Sequence, residues 1–247
     1  MISNKIKVIL FASMLGASSV FAGPISGSPH DLSALAGLDS STADNGEICV
    51  YCHTPHAANS AFTGAPLWNK ATPAGTFDMY GATIAGTNTE AAPASPSLAC
   101  LSCHDGVSAI DSIVNAPGSG MKSVTGSKDI VTGLATQYGG NIGGPLNATT
   151  TGNPDLTNDH PVSIIYTEGK AGLRATTVNL ATLGDNIAWL GATTIGDLLR
   201  GPTNDQVECG SCHDPHNGGN DQATATEVNF LRHTNKNSYL CLGCHNK

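Results

Sequence analysis

The stretch Cys49-Val50-Tyr51-Cys52-His53-Thr54-Pro55-His56 contains the motif around which the rest of the chain is arranged. Cys-x-x-Cys-His is the sequence signature for covalent attachment of a c-type haem. Its two thiols have the spacing needed to add to the two vinyl groups of one porphyrin, and the following histidine can bind the iron from one side. The motif therefore predicts a haem fixed to the polypeptide.

The signature occurs four times in the 247 residues, and the copies use all eight cysteines. The cysteines are Cys49 and Cys52, Cys100 and Cys103, Cys209 and Cys212, and Cys241 and Cys244. The histidines that end the four copies, here called the motif histidines, are His53, His104, His213 and His245. Zinc sites and disulfides also use paired cysteines, but neither requires a histidine directly after every second cysteine. We therefore expect four haem c groups.

The second axial position of each iron needs a further ligand. Only two methionines, Met79 and Met121, lie beyond the N-terminal leader, whereas five histidines lie outside the motifs. These five are His30, His56, His160, His216 and His233. We therefore expect histidine on both sides of all four irons.

Four of these five histidines are predicted to be distal ligands. His56 and His216 each follow a motif histidine by three residues, so in a helical segment both rings would point the same way, toward a neighbouring haem. His30 and His160, in loop sequence, are the next candidates. His233 is left out, because four irons need only four distal ligands.

The N-terminus has the pattern of a secretory signal peptide over Met1–Ala22. Lys5 and Lys7 precede an apolar run, and Val20-Phe21-Ala22 is a small-residue cleavage site. The apolar run is too short to span a membrane. We expect a single tetrahaem domain over residues 23–247, secreted through the periplasm to the cell surface, with no membrane span.

The composition excludes some partners. The formal net charge is −8, which disfavours nucleic acid and anionic membrane surfaces. Charged residues make up 12% and aromatic residues 5% of the chain, so we expect porphyrins to supply much of the apolar core.

Two elements of secondary structure are also predicted. A helix is expected within Ser95–Val114, from the helical spacing of Leu98, Leu101, Ile110 and Val114. The run His160–Tyr166 is predicted to be extended.

Short patches of the sequence resemble the multihaem c-type cytochromes of metal-reducing bacteria. They are Ser28-Pro29-His30-Asp31-Leu32, Cys49–His56, Asp159-His160-Pro161-Val162 and Phe230-Leu231-Arg232 before the last motif. With four motifs, the chain is most similar to the tetrahaem outer-surface cytochromes that polymerise into extracellular filaments, or nanowires. This resemblance implies a mostly coil fold with short α-helices and few β-strands, wrapped around a chain of haems with two histidines on each iron.

The resemblance also implies a ligand set and partners. It pairs His30 with the haem of the first motif, and His160 and His216 with those of the second and third. His56 would reach the last haem of the next copy. Implied partners are further copies of the chain, other multihaem cytochromes and extracellular electron acceptors such as metal oxides.

Three kinds of function are compatible with four haems. The first is a conduit that carries electrons along a filament, and the second is a soluble, monomeric periplasmic electron carrier. The third, a haem enzyme, needs an open iron position for its substrate. Because five spare histidines face four irons, we expect no enzymatic activity.

Overall fold

The computed structural model describes residues 25–32, 48–73, 75–83, 86–105, 113–115, 153–170, 172–184, 187–217 and 230–246. The predicted signal peptide lies outside the described residues. Within the described ranges the α-helices are α1 (Ser95–His104), α2 (Cys209–Cys212) and α3 (Tyr239–Leu242). Strands β1 (Ile164–Ile165) and β2 (Gln206–Val207) pair antiparallel, with Ile164 opposite Val207. Short 3-10 turns cover Leu180–Thr182, Gly196–Leu198 and Lys236–Ser238, and the remaining described chain is coil and turn.

Helix α1 carries the second motif in its last turns. Pro96 lies in its first turn, where a missing N–H has no consequence for helical hydrogen bonding. The helix ends at His104, so it is shorter than the spacing predicted. Residues 106–112 lie outside the described ranges, and Val114 is in coil, 49% exposed. The predicted helix therefore does not extend to Val114.

The segments that follow the first and third motifs are not helical: in each, the motif histidine forms a bridge and the residues after it make bends or a turn. Helix α2 stops at Cys212, and His213 has φ −113° and ψ 146°. The bridge partners are Leu231 for His213 and Trp68 for His53. The cause is in the sequence, because Pro215 and Pro55 disfavour helical conformation in the residue before them. The expected helical placement of His56 and His216 is thus wrong.

A conventional hydrophobic core lies between the second and third motifs. Its buried members are Tyr166, Leu180, Trp189, Ile195, Leu198 and Leu199, and Val207, Leu240 and Cys244 pack against them. This cluster was not foreseen from the composition, since each short turn contributes one or two residues without any periodic pattern. No helix in the described part of the chain has the length and hydropathy needed to cross a membrane.

Candidate haem-attachment site

The eight motif cysteines are all free of disulfide bonds. Burial raises the pKa of Cys52 to about 12, and the neighbouring Cys103 thiol contributes to the rise. The thiols of Cys100 and Cys209 share a hydrogen bond. Cys212 likewise lies close enough to Cys241 for that thiol to raise its pKa, after the larger effects of burial and Cys209. The four motifs are therefore neighbours in the order in which they occur along the chain.

Three motif histidines each have a second imidazole close by. The ring centres are 6.0 Å apart for His53 and His216, and 6.0 Å apart for His104 and His30. The rings of His245 and His160 are 6.5 Å apart. In each pair, one member belongs to a Cys-x-x-Cys-His motif and the other does not.

The spacing of these imidazole pairs fits an iron between the rings. A metal–imidazole bond is about 2 Å long, and the ring centre lies about 1 Å further out, so two axial imidazoles have centres about 6 Å apart. Direct ring contacts in the same region are closer, at 4.0 Å between His30 and Phe230. The residues present therefore fit a haem iron with two histidine ligands.

The tautomers of the paired histidines also suit ligation. A carbonyl oxygen can only accept a hydrogen bond, so a ring nitrogen beside it carries the proton. Nδ1 of His53 donates to the Pro66 carbonyl at 2.7 Å, and Nδ1 of His30 donates to that of Pro215 at 3.2 Å. Nδ1 of His160 donates to the Pro161 carbonyl at 3.0 Å. In each case Nε2 keeps its lone pair for a metal, with the ring orientation fixed by the backbone.

The electrostatics keep His30 in the form that binds a metal. Burial lowers its pKa below 6.5, and the nearby imidazole of His104 acts in the same direction, against the raising effect of the Pro215 hydrogen bond. A lowered pKa favours the neutral imidazole, which is the ligating form. Nδ1 of His216 lies 3.8 Å from a carboxylate oxygen of Asp214.

The pairing differs from the one implied by the resemblance. His30, which the resemblance assigned to the first motif, lies beside His104 of the second. His216, assigned to the third motif, lies beside His53 of the first. His160, assigned to the second motif, lies beside His245 of the fourth. Among the described residues, no ring contact joins His213 or His56 to another imidazole, although His104 lies close enough to lower the pKa of His213, after the larger effect of burial. His56 is exposed. His233 is 1% exposed and stacks on Trp189, with ring centres 4.5 Å apart.

Polar side chains outside the motifs hold the first and second motifs in place. The Asn69 amide donates to the Val50 carbonyl inside the first motif at 2.8 Å. The Trp68 indole donates to Ser102 Oγ inside the second motif at 3.1 Å. Two consecutive residues thus connect the two attachment sites.

The third motif is held through its helix. Glu208, 1% exposed, precedes α2 and accepts hydrogen bonds from Ser97 in α1 and from Ser163 before β1. Burial raises the pKa of this carboxyl, and both hydroxyls oppose the rise. Nε of Arg232 donates to the Gly210 carbonyl at 2.8 Å. Of these side chains, only Arg232 lay in a patch that the sequence singled out.

The fourth motif is fixed by Arg174. Its Nε donates to the carbonyls of Leu242 at 2.9 Å and His245 at 3.1 Å, which lie at the end of α3. The Tyr166 hydroxyl donates to the Cys244 carbonyl at 3.2 Å. No sequence signal pointed to either residue, because single Arg and Tyr side chains in loops form no motif.

These features can be compared with known families. Residues 201–247 match the family of the doubled CXXCH motif. The match covers the third and fourth motifs and indicates haem c binding there. No curated protein sequence matches the chain. Within the described ranges, no three or more His, Cys, Asp or Glu side chains converge as ligands for a metal ion.

Proposed function

We propose that the chain is a tetrahaem c-type cytochrome that carries electrons along stacked haems and polymerises into an extracellular filament. The eight motif cysteines would attach the haems, and the four motif histidines would bind the irons from one side. Each bound haem would supply one-electron oxidation and reduction at its iron. The observation that carries the electron-transfer part of this proposal is the set of three imidazole pairs with centres 6.0–6.5 Å apart.

The imidazole pairs favour electron transfer over enzymatic catalysis. An iron held by His53 and His216, by His104 and His30, or by His245 and His160 would have no open position for a substrate. The contact of cysteines from consecutive motifs supports short distances between neighbouring haems. Protein side chains then serve to hold the attachment sites in a fixed order.

The proposed joint between copies uses His56. His245 has a partner imidazole in its own chain, so we assign His56 of one copy to the iron held by His213 of the next. His56 is exposed, and its carbonyl accepts from the Asn115 amide at 2.8 Å. Leu67, whose carbonyl accepts from the Thr54 N–H, and Val114, next to Asn115, are 54% and 49% exposed, so the segments bonded to the one that carries His56 present apolar side chains to solvent. Acceptors at the filament end would be other multihaem cytochromes or metal oxides.

The joint is tested with His56→Ala in the secreted protein, because alanine, unlike methionine, cannot bind an iron. Negative-stain microscopy should show filaments for the unmodified chain and few or none for this variant, with four haems per chain by mass in both. His216→Ala is the matched control, because the His216 ring lies beside His53 of the same chain and assembly should persist.

The outcomes separate the candidate functions. Normal filaments from His56→Ala would remove His56 from the joint. If the unmodified secreted protein carries haem but stays monomeric, the alternative function, a soluble periplasmic tetrahaem carrier, replaces the filament. That alternative has support in the three pairs that a single chain completes alone.

A further inference from the structure

Phe230 has a backbone conformation that is rare for a bulky residue. Its φ is 72°, in the left-handed region where the Cβ of an L-residue crowds the backbone. Two hydrogen bonds hold it there: the Asp214 N–H donates to the Phe230 carbonyl at 2.7 Å, and the Phe230 N–H donates to the Asn217 carbonyl at 3.2 Å. A strained residue that its surroundings hold in place is a candidate for a functional role.

The ring of Phe230 stacks on the imidazole of His30. The ring centres are 4.0 Å apart, and the ring planes are 24° from parallel. His30 lies in the first described segment, residues 25–32, so the stack joins parts of the chain that are remote in sequence. Aromatic rings in such stacked arrangements attract each other beyond the area that they bury. The strained residue therefore contacts one of the proposed distal ligands.

The same part of the chain gives His30 its second contact. Nδ1 of His30 donates to the carbonyl of Pro215 at 3.2 Å. Pro215 lies between Asp214 and Asn217, the two residues that hold the backbone of Phe230. A single hydrogen bond leaves an imidazole free to turn about the axis of that bond, whereas a stacked ring fixes its plane. The two contacts together fix where Nε2 points.

We propose that Phe230 is a positioning residue whose ring holds the His30 imidazole in the orientation in which Nε2 can ligate the iron of the second motif. The centres of the His30 and His104 rings are 6.0 Å apart, and their planes are 51° apart. Groups that contact a ligating imidazole from outside the metal site set its orientation. The role rests on the proposed haem loading of the second motif, and Phe230 acts only through His30.

The test is electron paramagnetic resonance of purified ferric holoprotein with Phe230→Leu, Phe230→Gly and Phe230→Tyr. The electronic state of a haem iron depends on its axial ligands and on what orients them, so a turned His30 should alter the signal of one iron. Leucine and glycine remove the ring, and glycine also relieves the backbone strain. We expect both to lose one low-spin signal of the unmodified protein. Phe230→Tyr keeps a ring and should keep that signal, with four haems per chain by mass in every variant.

Two further variants complete the test. His30→Ala identifies the signal of the second-motif iron, since alanine cannot ligate it. Phe77→Leu is the matched control: Phe77 is half-buried like Phe230, and within the described ranges no ring contact joins it to a histidine. It should leave the spectrum unchanged.

The outcomes distinguish the role of Phe230 from the proposed ligation. The signal lost in Phe230→Leu and Phe230→Gly should be the one lost in His30→Ala. If His30→Ala removes a signal that both Phe230 variants keep, or that Phe230→Tyr loses as well, the role of Phe230 is overturned and ligation by His30 stands. If His30→Ala changes no signal, the pair of His30 and His104 itself fails.

A second measurement applies if Phe230→Leu and Phe230→Gly both lose haem. In the unmodified protein, nuclear magnetic resonance should then show an Overhauser contact between the Phe230 ring and the imidazole that ligates the second-motif iron. Absence of this contact would overturn the role of Phe230.

Discussion

The imidazole rings of His53 and His216 lie 6.0 Å apart with their planes 18° from parallel, although the residues come from opposite halves of the sequence. The conformation after Cys212 makes this possible. A helix there would have directed His216 along the same face as His213, whereas His213 is extended and the Asn217 N–H then donates to the Asp214 carbonyl at 3.0 Å, which closes a turn. His216, which follows the third motif in the sequence, therefore lies beside the motif histidine of the first motif.

Replacing His216 by methionine tests this pair. A His/Met pair gives an iron a higher reduction potential than two histidines do. We expect His216→Met to retain four haems and to shift one potential to a more positive value, with the other three unchanged. Redox titration measures the potentials, and His56→Met in dilute, unassembled protein is the control. A variant with all four original potentials would show that His216 is not a ligand.

Gly243 in the fourth motif is required by the ring of Trp189. A Cβ at this position would lie 2.7 Å from Trp189 Cζ2, and the ring cannot move easily because it is buried and stacked on His233. We expect Gly243→Ala to lower the free energy of unfolding by about 1–3 kcal/mol. Chemical denaturation checks this value.

Gly210 provides the matched control, since it occupies the second position of the third motif. A Cβ there would meet only Arg200, at 3.8 Å, which is ordinary van der Waals contact. Gly210→Ala should therefore change stability by much less. Equal effects of the two substitutions would argue against the packing explanation.

Arg174→Met removes the donor that holds the end of α3. Hydrogen bonds from charged groups contribute about 1.5–3 kcal/mol, so the amides of Cys244 and His245 should exchange with solvent faster in this variant. Hydrogen-exchange mass spectrometry of the C-terminal peptide measures the effect. Arg200→Met is the control: its guanidinium bonds the carbonyls of Asp197 and Leu199, so the C-terminal peptide should be unaffected.

Asp197 predicts a dependence of stability on pH. Backbone N–H groups of Thr194 and Thr193 donate to its carboxylate and lower its pKa below 3.8. A lowered pKa contributes stability that is complete above the unfolded-state value and is lost as the pH falls through the folded-state value. Asp197→Asn should therefore be less stable than the unmodified chain at pH 7, and the difference should begin to shrink below about pH 4 and disappear below the folded-state pKa of Asp197.

Thermal unfolding of both proteins across this pH range provides the measurement. Asp197 is exposed and lies outside the imidazole pairs, so its titration can be followed without altering the proposed iron ligands. A difference in stability that stays constant into acid would contradict the role of the carboxylate.

The attachment chemistry was predictable from the sequence, and much of the architecture was not. Cys-x-x-Cys-His is a local pattern, so all eight cysteines and four motif histidines could be named without a structure. The partners of His53, His104 and His245 depend on contacts between distant segments, which no local spacing encodes. The helical rule that related His56 to His53 failed because Pro55 interrupts the helix.

The polar residues that hold the motifs in place could not be identified from the sequence, for a similar reason. Arg174, Asn69 and Glu208 bind backbone carbonyls or hydroxyls of segments that are remote in sequence. A lone polar residue in a Gly- and Thr-rich chain is usually solvated, whereas Asn69 and Glu208 are buried and Arg174 is half-buried. The extended run at His160–Tyr166 was partly correct, since β1 covers Ile164–Ile165.

Each imidazole pair closes a long stretch of polypeptide: His30 to His104, His53 to His216, and His160 to His245. Bridging such distant positions through one metal ion would restrict the unfolded ensemble as a cross-link does, and the restriction grows with the length of the closed loop. The stretches from His53 to His216 and from His160 to His245 overlap, so neither segment could detach alone. Cofactor insertion would then act as the folding step of the chain, and apoprotein made without haem should remain unfolded.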